Sequence, residues 1–580
     1  MKLTRNALTA LKARYLLKDK HGRVTETPEE MFHRVARAIA SAEKIYGERS
    51  ADWEKRYYDV MSSLLFLPNT PTLINAGKEL GQLAACFVLP VEDSMTSIFE
   101  TLKNAALILQ SGGGTGFSFS HLRPRSDIVK STGGIASGPV SFMRIYNTAT
   151  EVIKQGGARR GANMGILRVD HPDVLEFIRI KRRAEELSNF NISMAVTDDF
   201  MRALRKNSSY RLRNPRSGEV TGHVKAQAVF DEIVESAWET GDPGLVFIDR
   251  INRDNPTPHM GAIESTNPCG EQPLLPFEAC ILGSINLSRF VRTEGASALP
   301  RFRTSERIDW DRLDSTVRLA VRFLDDAIDA NIYPIPQVEA MHRGNRKIGL
   351  GVMGWADLLI MLGMRYNSPD AFHMARTVMR FIRDCAREAS SGLAKDRGVF
   401  PNYSGSVYDT PAYRIKGGMR NATTTTIAPT GSLSLIAGCS SGIEPLFAVA
   451  YRRRVLEQEL FEIHPLFLDI AKKRGFYTTA LMDRIAGKGS LRGIREVPRD
   501  VKRLFITAHD ISPEDHIAMQ AAFQEFTDNA VSKTVNLKHR ASRDDVAKAF
   551  LLAYEQRCKG VTVFRYGSKP GTLLKLDEVD

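Results

Sequence analysis

Asn267-Pro268-Cys269-Gly270-Glu271-Gln272 is the stretch on which the reading of this chain turns. Pro268 has no N–H to donate and Gly270 is conformationally permissive, so neither a helix interior nor a central strand suits the segment, and a loop remains. In an extended loop, side chains two apart share a face. Asn267, Cys269 and Glu271 are therefore expected to point one way, about 7 Å between neighbours. An amide, a thiol and a carboxylate would then stand together as a reaction centre. A turn around a buried cysteine is the plainer alternative, and at this point both stay open.

Working outward, the chain has 580 residues with 80 Lys+Arg against 67 Asp+Glu, a net charge of +13. Hydrophobic content of 43% and charged content of 25% are those of an ordinary globular protein, which excludes disordered, collagenous and coiled-coil classes. At roughly 150 residues per domain the length allows three or four domains. Yet no linker is visible after about residue 80, so one large domain is expected. Residues 348–364 form the most apolar run, but they hold Asp357 and four glycines and read as buried core, not as a membrane span. The N-terminal twenty residues carry scattered charges and no apolar segment, unlike a secretory signal. Six cysteines without a C-x-x-C pair exclude a disulfide scaffold and a zinc ribbon, and no Cys/His cluster has metal-ligand spacing. A reduced, cytoplasmic enzyme is expected. The positive balance suits anionic partners such as nucleotides. Nucleic acid is disfavoured, because the surplus is dispersed and no basic stripe is interleaved with aromatics.

Local signals predict alternating helices and strands. Thr27-Pro28-Glu29-Glu30 combines an N-cap, a first-turn proline and a capping-box glutamate, followed by Phe32, Val35, Ala36, Ile39 and Ala40 at helical spacing. A second helix is expected from about Ile98 to Gln110, stopped by Gly112-Gly113-Gly114, and a third carries Phe142, Ile145, Tyr146, Ala149 and Ile153. Leu245 to Ile248 and Ile427-Ala428 read as buried strands, which makes the class α/β with a mainly parallel sheet. Pro429-Thr430-Gly431-Ser432-Leu433-Ser434 follows a β-like run and could cradle an anion at a helix start. Ser111 to Gly116 would let a ligand approach closely, and Gly157 to Asn163 sets Arg159 and Arg160 between glycines. Cys280 follows Cys269 by eleven residues and Cys86 lies far upstream, while Cys385, Cys439 and Cys558 read as structural.

These pieces, in this order, resemble the catalytic chain of ribonucleotide reductases. The resemblance runs from about Leu67 to Ser568 and rests on Asn69 to Gly77, Ala85 to Pro90, Gly112 to Ser120, Gly157 to Asn163, Asn267 to Gln272, Lys347 to Asp357 and Pro429 to Ser434. It implies a ten-stranded α/β barrel of two five-stranded parallel halves around a central finger loop, spanning residues 76–580 behind an N-terminal helical segment, 1–75. It also implies the chemistry. Cys269 would become a thiyl radical and abstract hydrogen from the ribose 3′ carbon, with Glu271 as general base and Asn267 orienting the substrate. Cys86 and Cys280 would supply two electrons and end as a disulfide, which needs Cα atoms within about 7 Å. The phosphates would sit on Pro429, Thr430, Gly431, Ser432 and Leu433, with Thr72, Ala85 and Gly114 around the nucleoside. Whether the substrate is a diphosphate or a triphosphate stays open.

Within the family, the wording of Asn267 to Gln272 and Gly113 to Ser120 is closest to class II, which draws its radical from adenosylcobalamin. Thr562-Val563-Phe564-Arg565-Tyr566 lacks the paired tyrosines of class I, and Tyr566-Gly567-Ser568 is no glycyl-radical motif. No D-x-H-x-x-G occurs, so a histidine-ligated cobalamin domain is not expected. The alternatives are a class I large subunit with a separate metal-radical partner, and a non-catalytic nucleotide-binding protein on the same barrel. The resemblance further implies a homodimer through helices at about 93–165. A deoxynucleoside triphosphate or ATP effector would touch Asp93 and Arg123 and signal through Arg159 and Arg160. The family's C-terminal cysteine pair has no counterpart after Cys558. That leaves a truncated sequence, a separate tail chain, or a thioredoxin-like or small dithiol reductant acting directly.

Overall fold

The computed structural model describes residues 3–129, 133–153, 162–183, 186–292, 304–412, 417–455 and 458–568. The chain opens with three helices, α1 (Arg5–Arg14), α2 (Pro28–Ala40) and α3 (Ser50–Ser62). The capping box predicted at Thr27 is formed. The Thr27 hydroxyl accepts from the Glu30 N–H at 3.2 Å, and the Glu30 carboxylate accepts from the Thr27 N–H at 2.7 Å. The apolar face it launches, Met31, Phe32, Val35, Ala36, Ile39 and Ala40, is wholly buried.

The barrel follows. Its first half is β1 (Cys86–Pro90), β2 (Gly114–Ser118), β3 (Asn163–Arg168), β4 (Phe190–Val196) and β5 (Gly244–Phe247). Helix α4 (Met95–Ser111) links β1 to β2, ending on Gly112 at a φ of +100°, and α5 (Pro139–Val152) precedes β3. Each strand pairs in parallel with the next. The second half begins with β6 (Ala279–Asn286) and β7 (Ile348–Met353), again parallel. It ends with β8 (Thr534–Leu537) and β9 (Gly560–Arg565), also parallel. Between them lies the segment 423–427, tied by single parallel bridges from Leu350 to Thr425 and from Ile427 to Val531. The halves meet antiparallel at both seams, β6 on β1 and β9 on β5. Counting the bridged segment 423–427, the circuit has ten strand positions in two parallel fives, and a further short strand, Phe66–Pro68, pairs antiparallel with β6 at Gly283 to Ile285.

The eighth position is weaker than the reading of Ile427-Ala428 as a strand implies. Its threonine hydroxyls reach sideways: Thr424 to Asp528 at 2.7 Å and Thr426 to the Glu271 carbonyl at 2.9 Å. All eight residues of β6 are buried, as befits a strand covered on both faces. The apolar run at 348–364 divides into β7 and the buried helix Trp355–Leu362. Among the described residues no helix is long and apolar enough to cross a membrane.

A buried ionic cluster ties the N-terminal helices to the barrel. Glu43 accepts from Arg322 at 2.6 Å and from Arg397 at 2.7 Å. Arg397 also meets Asp326 at 2.6 Å, and Arg346 meets Asp325 at 2.8 Å. Burial alone would raise the Asp325 carboxyl, but the guanidiniums of Arg346, Arg420 and Arg397 overcome it and hold the group down to about 2.

Candidate active site

From β5 the chain turns into the barrel as a small hairpin, Ser265–Thr266 against Pro273–Leu274. Gly116 on β2 makes room for it: a Cβ there would lie 1.8 Å from the Thr266 carbonyl oxygen. At the tip, Asn267 to Gly270 is a turn and not the extended loop expected from Pro268. The Gly270 N–H donates to the Asn267 carbonyl at 3.0 Å, and Gly270 takes a φ of +80° that favours glycine. The Asn267 side chain closes the tip by accepting from the Gln272 N–H at 3.0 Å. Both halves of the barrel grip the tip. Asn191 on β4 donates to the Pro268 carbonyl at 2.8 Å, and the Ala530 N–H donates to the Glu271 carbonyl at 3.0 Å.

The turn still brings the three predicted side chains to one cavity. A chamber of about 330 Å³ is lined by Asn267, Cys269, Glu271 and Cys86, together with Ala85 and Gly114. Cys86 on β1 stands directly opposite Cys280 on β6, so residues 194 apart in sequence become cross-strand neighbours. Opposed residues of an antiparallel pair have Cα atoms roughly 4.5–5.5 Å apart, within disulfide reach. The Asn267 amide donates to the Cys86 sulfur at 3.1 Å. Burial pushes the Cys86 thiol well above its usual range, and nearby Glu271 pushes further. Burial likewise raises Cys280.

Pro429 to Leu433 line the same chamber. Thr430 adopts a left-handed conformation at φ +53° and starts the short helix α6 (Gly431–Ala437). The Thr430 hydroxyl accepts from the Gly442 N–H at 2.7 Å, fixing the turn with the first N–H groups of α6 at the chamber. Thr72 is placed otherwise than expected. It is fully buried behind the wall, its hydroxyl donating to the Leu83 carbonyl at 3.1 Å, while Asn69 and Thr70 line the chamber in its stead.

Cys269 is exposed, and it also lines a second cavity of about 430 Å³, which shares Asn191, Pro268 and Pro429 with the first. Gln520, Lys533, Glu444 and Phe564 lie in that wall. The Lys533 ammonium meets Glu444 at 2.9 Å and His516 at 2.8 Å. Gln520 donates to the Gly560 carbonyl at 2.8 Å, and its buried side-chain oxygen has no partner. Sequence reasoning missed this wall, and Asn191, because they reach the site only through barrel closure. Asp93, just before α4, pairs with Arg123, just beyond β2, at 2.8 Å, while Arg159 and Arg160 lie outside the described residues. Cys385 and Cys558 are buried, as expected of structural thiols, and Cys439 is half-buried.

Comparison with known proteins identifies the family. Residues 84–564 match the family model described as "Ribonucleotide reductase, barrel domain", and residues 1–81 match "Ribonucleotide reductase, all-alpha domain". The chain belongs to the ribonucleotide reductase family. Among its reductase relatives, a vitamin B12-dependent ribonucleoside-diphosphate reductase of Thermoplasma acidophilum is 49% identical over 98% of this chain and 80% of the relative. One of the same description from Mycobacterium tuberculosis is 48% identical over 99% of this chain and 81% of the relative. The Actinobacillus ureae class Id ribonucleotide reductase alpha subunit shares the fold, with a TM-score of 0.79 at 22% identity over 97% of each chain.

Proposed function

We propose that this chain reduces ribonucleoside diphosphates to 2′-deoxyribonucleotides by thiyl-radical chemistry, with adenosylcobalamin as its cofactor. The carrying observation is that Cys269 lines two cavities. One holds a cysteine pair, a carboxylate, an amide and an anion nest, and the other is roomy and polar on one wall. The diphosphate and the cofactor are those by which the two relatives nearly half identical to this chain are named.

The second cavity fits the adenosyl side of such a cofactor. The unpartnered Gln520 oxygen offers an acceptor for an exocyclic amine, and Lys533 and Glu444 offer a donor and an acceptor for ribose hydroxyls. When bound, the cofactor supplies a hydrogen-abstracting radical from its cobalt–carbon bond. Phe564 in the same wall has no phenolic hydrogen to relay, which sets this site apart from a tyrosine-fed one.

On the substrate side, the N–H groups at the head of α6 hold the phosphates. Cys269, as a thiyl, removes the 3′ hydrogen while Glu271 accepts the 3′-hydroxyl proton and Asn267 holds the ribose. The 2′ hydroxyl leaves as water, Cys86 and Cys280 give up two electrons and join as a disulfide, and Cys269 returns the 3′ hydrogen. The balance is one ribonucleotide and two thiols to one deoxyribonucleotide, one disulfide and water. The exposed apolar side chains Phe99, Leu107, Ile145 and Val152 on α4 and α5 support a homodimer through these helices, with an effector nucleotide near the Asp93–Arg123 pair. The deciding assay gives purified chain adenosylcobalamin and a dithiol, with diphosphate and triphosphate substrates in parallel. Deoxyribonucleoside diphosphate is expected. No turnover without a second, metal-bearing protein would instead establish the class I alternative.

A further inference from the structure

Cys280 has a different neighbour on each side. Cys86 of β1 stands opposite it, and the β6–β7 register of Ile281 with Ile348, continued back by one residue, sets Lys347 beside it at the head of β7. The Lys347 ammonium lies 2.7 Å from the Glu278 carboxylate, and both side chains are 1% exposed. Glu278 sits two residues before Cys280, on the same face, and is fixed further by the Leu275 N–H at 2.6 Å and the Asn345 amide. Cys280 is fully buried, its thiol turned toward the Ile281 carbonyl at 3.6 Å. Cys86 lines the substrate chamber instead. The two sulfurs of the pair are thus unlike: one has the cavity, the other has a buried cation.

The charges around them differ in the same sense. Burial raises Cys280 first; Lys347 then lowers it, while Glu278 and Glu271 raise it. Burial also raises Cys86 first; Glu271, Cys280 and Cys269 raise it further, and the Asn267 hydrogen bond opposes them. A thiolate is the leaving group of disulfide exchange, and the more stable thiolate leaves faster. Accessibility and charge therefore select the same direction of attack.

We propose that Lys347 polarises the Cys86–Cys280 pair, so that an external dithiol attacks Cys86 from the substrate chamber and Cys280 leaves as a thiolate beside the lysine. This rests on the reading of Cys86 and Cys280 as the redox pair. In the first step a reductant thiolate forms a bond to the Cys86 sulfur, the Cys86–Cys280 bond breaks, and its electron pair goes to Cys280. In the second, the reductant's other thiolate attacks its own sulfur in the mixed disulfide and Cys86 leaves. Two electrons pass to the protein, and the two protons come from the dithiol. Lys347 is a positioning residue in this scheme. Glu278 holds it in place and partly neutralises it.

The test needs neither cofactor nor substrate. Full-length protein carrying Cys269→Ser is oxidised with diamide and reduced with dithiothreitol over a range of pH. Samples are quenched with a maleimide, and the Cys86–Cys280 disulfide is followed by mass spectrometry. Lys347→Met is expected to slow reduction about tenfold, and Lys347→Arg to restore most of the rate. Glu278→Gln is expected to speed it, because the lysine loses its counter-ion. Packing damage would not produce opposite signs. A second readout holds even if Lys347→Met fails to fold. With Cys280→Ser, an aromatic disulfide reagent should label Cys86, whereas with Cys86→Ser it should spare Cys280. Rates unchanged within about twofold, equal signs for the two charge variants, or labelling of Cys280 would overturn the proposal. If diamide forms no Cys86–Cys280 disulfide in any variant, the redox-pair reading itself falls, and this inference with it.

Discussion

A thiol that takes hydrogen from a ribose carbon needs a proton acceptor and a reductant within reach of the same sugar. Cys269, Glu271 and Cys86 line one chamber in that combination. Replacing Glu271 by Gln keeps the shape and removes the base. Steady-state kinetics should show kcat lowered about 10²- to 10⁴-fold, with KM little changed. Replacing Cys280 by Ser should abolish even the first turnover, since the pair can no longer close and give up two electrons, whereas the reduced wild type without a dithiol should stop at one per chain; rapid-quench product counts would show both. Asn267, Cys269 and Glu271 stood out in the sequence because a thiol next to a carboxylate is already a statement about reactivity, whereas Cys86 and Cys280 took a role only from the family resemblance. Lys347 and Asn191 did not stand out. A lysine before an apolar strand and an asparagine within one look ordinary until strand pairing sets them beside Cys280 and Pro268.

At the level of elements, the hairpin carries Cys269 and its fit decides the site. The Gly116 Cα faces the Thr266 backbone, so Gly116→Ala forces a rigid carbonyl to move. Loss of turnover with the melting temperature changed by only a few degrees is expected, as judged by calorimetry beside the activity assay. At the hairpin's base, His121 bridges Glu92 at 2.9 Å and Glu264 at 2.8 Å. The hydrogen bond to Glu264, joined by Glu92, outweighs burial and lifts the imidazole to about 9. Because this value is raised on folding, the tie is complete below the unfolded value near 6.5 and is lost as pH rises through 9. An NMR titration of His121 should show a midpoint near 9 that falls toward 6.5 in Glu264→Gln. Helices were the most legible elements, since capping at Thr27 and the glycine stop at Gly112 are local signals. The eighth strand position was not, because its threonines answer to Asp528, more than a hundred residues away, and the Asn267 turn was missed because its closing bonds, from Gly270 and Gln272 back to Asn267, leave no periodic pattern.

Across the whole molecule, closure of the barrel rests on two antiparallel seams that no local periodicity announces. Only the order of the motifs pointed to it, through family resemblance. The ionic cluster at Glu43, Arg397 and Asp325 holds the helical segment to that barrel. Arg397→Met strands buried carboxylates and should cost about 3–5 kcal/mol by denaturant unfolding. Asp325 is depressed, so its contribution is present above the unfolded value near 3.9 and is lost as pH falls through about 2; acid melts of the wild type should steepen in that window. On the proposed mechanism the whole architecture delivers one hydrogen-abstracting sulfur, that of Cys269, to the ribose 3′ carbon. That mechanism is tested most directly by turnover of 3′-deuterated ribonucleoside diphosphate, with adenosylcobalamin and a dithiol, in the wild type and in Cys269→Ser. A normal deuterium isotope effect on kcat/KM is expected in the wild type. No deoxyribonucleotide is expected from the variant, although the variant still binds the nucleotide. Sustained product formation by Cys269→Ser would contradict the mechanism.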